Sequence, residues 1–517
     1  MLFRSDPVET VIREVRAVIN AERVNLGLSL DVGSPTDVLR VAVALSGGDV
    51  SMATNTKFKS FPKRVRRILM AGLEGVSGSH DSLAMALQHT EQWKRLGEKI
   101  HPNEFKGHEN AKAVFKTVHG QTPVRSYAAR VETAFKDGSH KGILLVLSEN
   151  PGGLFRNLDR ALTAGVKGIL PVLQATVGKV SGRVLISVHE HLTNRLLATE
   201  SRMFRNRAGK AWVQDETRDV LTAREVGPIL TLLECEIARR LPVIPNLVVD
   251  PAVRGVALPL SEKNKGTGFG TLPRGSRIQV THGIIRFFCY WKEKSQRTDY
   301  DLSVLLMDKD FQMVSHCSWT QLRDGGMVHS GDITSAPQGA SEFVDVDLRR
   351  VNQRVAYIVP QVNVFSGDSY EEAAESFFGF MEREGGRTIE HTKGLPYDPS
   401  TVRAKSEMRG KGKVSLPMMF TRDPDAPSGW SGVWAHIYLN GSANFNMAEK
   451  NGRQTGMMAR GSVNRRHFTV GRLADMLLAK STRVEGVDAT YIGLQAPSDL
   501  KTSKNYTAVN FIELIPE

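Results

Sequence analysis

Two aspartates one residue apart, Asp299 and Asp301, lie in the segment TDYDLSVLLMDKDF. Alternate side chains of an extended strand share a face, so these carboxylates and Ser303 form one row. Like charges held that close repel unless a cation neutralises them. Oxygen donors with no nearby His or Cys suit a hard ion, calcium or magnesium, and do not suit zinc. A second segment, GGMVHSGDITSAPQGASEFVDVDLRRV, adds Asp332 in a Ser-Gly-Asp turn with Thr334, then Glu342, Asp345 and Asp347. Loops of this composition, if they converge, supply enough oxygens for six- to eight-fold coordination.

Strands must position such a row, and the surrounding pattern predicts them. Residues 277–280, 284–291, 300–307, 342–348 and 355–365 are β-branched or aromatic and bounded by turn residues, which predicts an antiparallel sandwich. Short helices are expected around residues 371–384 and 470–480. Upstream the texture is helical. Asp6, Pro7 and Glu9 form an acidic variant of the capping box ahead of an apolar stripe at Val8, Val11, Ile12, Val15, Val18 and Ile19. Similar stripes without a fixed period predict an irregular α-solenoid or helical bundle. The expected fold is therefore multidomain α + β. It comprises a helical domain over 1–240, a Pro- and Gly-rich linker over 241–271, a sandwich over 272–385 and a β-rich extension over 386–517 that packs on the sandwich.

The Asp-x-Asp-x-Ser strand at Asp299–Ser303, the His-Ser-Gly-Asp turn at His329–Asp332 and the Val-Asp-Leu strand at Val346–Leu348 resemble, in that order, the TerD family. This is the calcium-binding β-sandwich of bacterial tellurium-resistance and general stress-response systems. The resemblance spans about residues 272–368. It implies a calcium cofactor held by Asp299, Asp301 and Asp332; Glu342, from the second acidic segment, is expected as a further ligand. The chain departs from the family pattern at Ile333, after the Gly-Asp pair, and at Ala340 and Ser341, before Glu342, so one site, or a weak one, is expected. A looser resemblance links the helical half, through SPTDVLRVAVAL, PKRVRRILMAGLEG, WKRLGEKIHP, VRSYAARVETAF and PGGLFRNLDRAL, to the HEAT-like, RNA-binding TROVE module.

A second chemistry resides in KFKSFPKRVRR, residues 57–67, where Lys57, Lys59, Lys63, Arg64, Arg66 and Arg67 surround Phe58 and Phe61. Cations at a helix start oppose the macrodipole, so helix stability does not explain them and an anion would be welcome. Six phosphate contacts give a salt slope of about −5, and interleaved aromatics favour looped or single-stranded RNA. The competing reading is a solvated polar helix face. A smaller cluster, Arg202, Arg205, Arg207 and Lys210, lies in a predicted turn.

The chain of 517 residues is 41% hydrophobic and 24% charged, within the globular range. Its net charge of +13 is uneven, with 35 Lys and Arg against 26 acids in residues 1–250 and 33 against 29 beyond. Three cysteines, Cys235, Cys289 and Cys317, predict reduced thiols, with Cys235 a buried inert one on a helical stripe. The start has no apolar signal core, and residues 168–188 are broken by Lys179 and Arg183, so no membrane span and a cytoplasmic location are expected. No enzyme signature survives. The glycines of 266–270 do not follow a predicted strand, RGKGKVS lacks P-loop spacing, and His189 and His191 flank Glu190 at a spacing that splits them between helix faces. The expected function is a non-enzymatic stress-response scaffold that binds calcium and partners other stress-response proteins. The alternative is a protein whose basic half captures a small structured RNA.

Overall fold

The computed structural model describes residues 7–205, 211–260, 268–383, 397–439, 447–498 and 500–517. Two compact units divide at Asn150 and Pro151. The helical domain expected over 1–240 thus ends earlier, and the helices of residues 151–240 belong to the unit that holds the sandwich.

In the first unit the periodic stripes become helices α1 (Pro7–Asn25), α2 (Pro35–Leu45), α3 (Lys63–Val76), α4 (His80–Ala86), α5 (Thr90–Ile100), α6 (Glu109–Val118), α7 (Tyr127–Asp137) and α8 (His140–Ser148). Local chemistry sets their starts. The Ser34 hydroxyl accepts the Asp37 N–H ahead of α2, with Pro35 in the first turn. Helix α2 is touched by α1, α3, α4 and α5, while α6 packs on α3, α4 and α5, an irregular bundle around one core that includes Val38, Leu69, Trp93, Leu96 and Val114. Asp6 of the expected cap lies outside the described residues.

The second unit opens with α9 (Pro151–Arg156), α10 (Leu158–Thr163), α11 (Ile169–Thr176) and α12 (Gly182–Arg195), then a hairpin of β1 (Ser201–Arg205) and β2 (Ala211–Asp215), then α13 (Ala223–Arg240) and β3 (Leu247–Val249). In the described part of the segment expected to be a linker, Val253, Val256 and Leu258 are buried, and the Lys405 N–H donates to the Phe269 carbonyl. Pro242 follows the Leu241 cap of α13, and Pro251 opens a 3-10 turn over Pro251–Val253. On α13, Cys235 is exposed, not buried as expected, because the apolar stripe of that helix runs through Val226, Ile229, Leu233 and Ile237.

The sandwich follows. Its strands are β4 (Arg277–Gln279), β5 (Ile284–Lys292), β6 (Asp299–Met307), β7 (Met313–Cys317), β8 (Arg323–Asp324), β9 (Met327–His329), β10 (Ala340–Asp347), β11 (Tyr357–Ser366), β12 (Glu375–Arg383), β13 (Val402–Glu407), β14 (Val414–Arg422) and β15 (Trp430–Leu439). They form two antiparallel six-stranded sheets, ordered β13-β12-β5-β10-β9-β8 and β4-β15-β14-β11-β6-β7. Phe287, Phe378, Phe380 and Phe420 meet in the core with ring centroids 5.2–6.1 Å apart. Strands β13–β15, from the expected extension, are integral to these sheets.

Residues 375–383 correct one expectation. They form β12, not a helix, because both neighbours in the sheet claim their backbone and Phe378, Phe380 and Met381 are buried. Acidic flanks and mixed spacing made the segment look helical, and tertiary pairing overrides that preference. The expected helix near residue 470 is α15 (Val470–Leu478).

Helix α14 (Ala448–Val463) covers the outward face of the second sheet, where Leu305, Met307, Val359 and Leu416 pack with Ala448, Met458 and Ala459. Gly456 permits this approach, since a Cβ there would lie 2.4 Å from the Phe311 carbonyl oxygen. A parallel sheet, ordered β17-β16-β3 with β16 (Ala489–Ile492) and β17 (Thr502–Tyr506), completes the unit. Among the described residues no helix is long and apolar enough to cross a membrane.

Candidate metal centre

Strand β6 carries the acidic row as its alternation requires. Asp299, Asp301 and Ser303 point out of the sandwich on the face that bears Leu305 and Met307, while Tyr300, Leu302 and Val304 point inward. The neighbouring β11 presents Asn363 beside Asp301 and Gln361 beside Ser303, and a register shift between Val364 and Ser366 reshapes the strand end next to Asp299. The loop bearing Asp332 is held to the start of β6. Arg297 donates from Nε to the Thr334 carbonyl and from Nη2 to the Thr334 hydroxyl, at 2.9 and 2.6 Å. Glu293 accepts the Thr298 and Ala336 N–H groups and the Ser335 hydroxyl. Gly331, at φ +110°, makes the turn that brings Asp332 back.

The result is a triad. Asp299, Asp301 and Asp332 each offer a carboxylate oxygen, all within 4.8 Å of one another; the first two aspartates are buried and the third is exposed. Burial, then the charge of Asp332, pushes Asp299 up to about 6. Burial, then Asp299 and Asp332, pushes Asp301 up to about 8. Asp299 Oδ1, Asp301 Oδ2 and Ser303 Oγ are buried without a hydrogen-bond partner among the described residues. Buried carboxylate oxygens left bare are costly, and a hard cation is the group that satisfies them. The donor set therefore fits calcium or magnesium.

Glu342, expected as a ligand, stands outside that group. It reaches across from β10 in the other sheet, and its two oxygens accept the Leu302 N–H at 2.8 Å and the Ile333 N–H at 2.9 Å. Burial, working against those two donors, pushes it up to about 9. His329 completes the same edge. Its Nδ1 accepts the Gly331 N–H, so Nε2 carries the proton and donates to the Leu302 carbonyl at 2.9 Å. Asp345 is committed elsewhere, in a bidentate pair with Arg286, both fully buried, at 2.6 and 2.8 Å. Asp347 pairs with Arg349. The expected oxygen supply from β10 is thus consumed by structural partners.

Four polar residues escaped the sequence reading. Asn363 and Gln361 continue the acidic row sideways, and Asn451 and Thr455 of α14 bond to them at 3.3 Å each. Gln361 Nε2 and Asn363 Nδ2 are buried without partners among the described residues. The available signal was the period-two placement of Gln361 and Asn363 in a strand otherwise apolar on both faces.

The basic segment is dispersed. Phe58 and Phe61 are buried in the helical core and offer no face for base stacking. Arg64 donates to the Val24 and Asn25 carbonyls, and Arg66 to the Ile100 carbonyl and Glu104. Lys57, Lys59, Lys63 and Arg67 are exposed. The aromatic interleaving was a core signal, spaced to reach inward from an irregular segment. His189 pairs with Glu234 at 2.6 Å, and His191 lies 3.3 Å from Asp159.

No family model matches the chain. A stretch of 90 residues is 30% identical to the tellurium resistance protein TerZ of Serratia marcescens, covering 17% of this chain and 47% of that protein. The chain thus spans about half the length of the curated relative it matches. Two crystal structures align with 33% of the chain at a TM-score of 0.26. One is of a protein of unknown function, at 15% identity and 97% of its length. The other is of a homologue of the telluride resistance protein TerD from Streptomyces coelicolor A3(2), at 12% identity and 98% of its length.

Proposed function

We propose that the sandwich is a calcium-binding module of tellurium-resistance type, serving a stress response as a non-enzymatic scaffold. Asp299, Asp301 and Asp332 hold the ion, and Ser303 extends the oxygen row. One observation carries the reading: three carboxylates from β6 and the 330–336 loop meet within 4.8 Å, two of them buried with an oxygen that has no hydrogen-bond partner among the described residues. The partial similarity to a tellurium resistance protein supports the biological setting.

Calcium titration of the full chain with a thermal-melt readout tests this. An ion bound to the folded form alone stabilises it by about 2.7 kcal/mol at a hundredfold excess over its dissociation constant, which raises Tm by a few degrees. Asp299→Asn with Asp301→Asn abolishes the rise while circular dichroism stays native-like. An unchanged Tm of the natural chain at millimolar calcium overturns the proposal.

A further inference from the structure

The acidic triad is assembled from two chain segments that belong to different sheets. Asp299 and Asp301 lie on β6, whereas Asp332 lies in the loop between β9 and β10. An ion held by all three depends on how that loop is fixed against β6. Asp332 is exposed, so burial of its own side chain does not fix it. Arg297 and Glu293 secure the far part of the loop, at Thr334, Ser335 and Ala336.

Two side chains act next to Asp332 itself. Each bridges Leu302, the residue after Asp301, to a residue adjoining Asp332. Glu342 accepts the Leu302 N–H at 2.8 Å with one oxygen and the Ile333 N–H at 2.9 Å with the other. His329 donates from Nε2 to the Leu302 carbonyl at 2.9 Å and accepts the Gly331 N–H at Nδ1 at 3.0 Å. Both backbone polar groups of Leu302 are thereby engaged, and Asp332 is held from either side, through Gly331 and through Ile333. The braces are themselves fixed. Both side chains are fully buried, with His329 Nε2 3.6 Å from Glu342 Oε2. The strands that carry them are paired, His329 lying opposite Val344. The Ser330 N–H donates to the Phe343 carbonyl and the Phe343 N–H to the Ser330 hydroxyl, both at 2.9 Å.

We infer that Glu342 and His329 are positioning residues for the cation, which set the separation of the Asp301 and Asp332 carboxylates by bracing the backbone beside each. The inference rests on the cation reading of β6 and deepens it. Glu342 directs each oxygen, and His329 each ring nitrogen, to a backbone group, as a brace does and a ligand does not. Groups that orient the ligands of a metal contribute about 10–100-fold to its affinity. With either brace cut, the Asp332 turn swings away from β6 and water takes the place of its carboxylate on the ion.

Calcium calorimetry of the full chain tests it, with Asp332→Ala as the reference. Glu342→Gln keeps one acceptor oxygen, and His329→Asn keeps an acceptor near the Nδ1 position but cannot reach Leu302. Each should weaken calcium by about tenfold or more with a native-like circular dichroism spectrum. Combined with Asp332→Ala, neither should weaken it further, because the turn they hold no longer bears a carboxylate. Lifetimes of bound terbium in light and heavy water, which count coordinated waters, should show the same gain of water in His329→Asn as in Asp332→Ala. Natural affinity in both brace variants overturns this inference alone, as do losses that add to that of Asp332→Ala. A Glu342→Gln loss exceeding that of Asp332→Ala also overturns it, by making Glu342 a ligand. Failure of the natural chain to bind calcium overturns the cation reading, and this inference with it.

Discussion

Glu342, a side chain of one sheet, accepts the backbone N–H of Leu302 in the other at 2.8 Å. The edge of β6 beyond the reach of β7 is thereby closed by a side-chain carboxyl group, where a neighbouring strand would otherwise supply the acceptor. Glu342→Gln retains one acceptor oxygen but turns an amide N–H₂ toward the Leu302 or Ile333 donor. A loss of about 1–3 kcal/mol is expected, read as a lowered urea midpoint with unchanged m-value. An unaltered midpoint would remove this structural role.

Proton competition should govern cation affinity. Asp299 and Asp301 have pKa values raised to about 6 and about 8, so the cation-free fold holds protons that an ion must displace. A raised carboxyl pKa favours the cation-free fold below the unfolded value of about 4 and loses that contribution as pH climbs through about 8. Calcium affinity should therefore strengthen between pH 6 and 8. Calorimetry in buffers of different ionisation enthalpy should show proton release on binding, and affinity flat across that window would contradict it.

The acidic strand was legible because period-two alternation fixes which side chains share a face, and Asp299, Asp301 and the turn around Gly331 follow from local chemistry alone. What Glu342 and Asp345 do was not legible. Both look like free oxygens in a string, and only the pairing of β10 with β5 sets Asp345 opposite Arg286, while only the stacking of the sheets brings Glu342 to Leu302. The alternation of β12 was masked by acidic residues, and the cations near Phe58 looked like an interface because burial of that ring depends on helices distant in sequence.

The Arg286–Asp345 pair offers a separate test. Both side chains are fully buried, so Asp345→Asn leaves a guanidinium without its counter-charge and should destabilise by about 3–5 kcal/mol. Arg286→Met with Asp345→Leu should recover most of that loss. The calcium-dependent rise in Tm should persist in the single variant; its disappearance would place Asp345 in the cation site after all.

Acid stability should depend on Glu190. Against burial, which pushes it up, His467, Arg465 and the Phe468 N–H hold it down at about 2. A depressed carboxyl contributes stability above its unfolded value of about 4.5 and loses it as pH falls toward about 2. Glu190→Gln should flatten the decline of unfolding free energy over that interval. A decline as steep as in the natural chain would show that other groups govern it.

Parallel pairing of Leu247–Val249 with Thr490–Ile492 joins segments that leave the ribosome far apart in time. The intervening chain includes the whole sandwich, and closing so long a loop is only slightly more unfavourable than closing a moderate one, since the entropy grows with the logarithm of length. Once the sandwich has condensed, its own dimensions hold the two strands near each other. The small sheet is thus a late fastening, and during synthesis Leu247, buried in the finished protein, must wait uncovered until the last strands arrive.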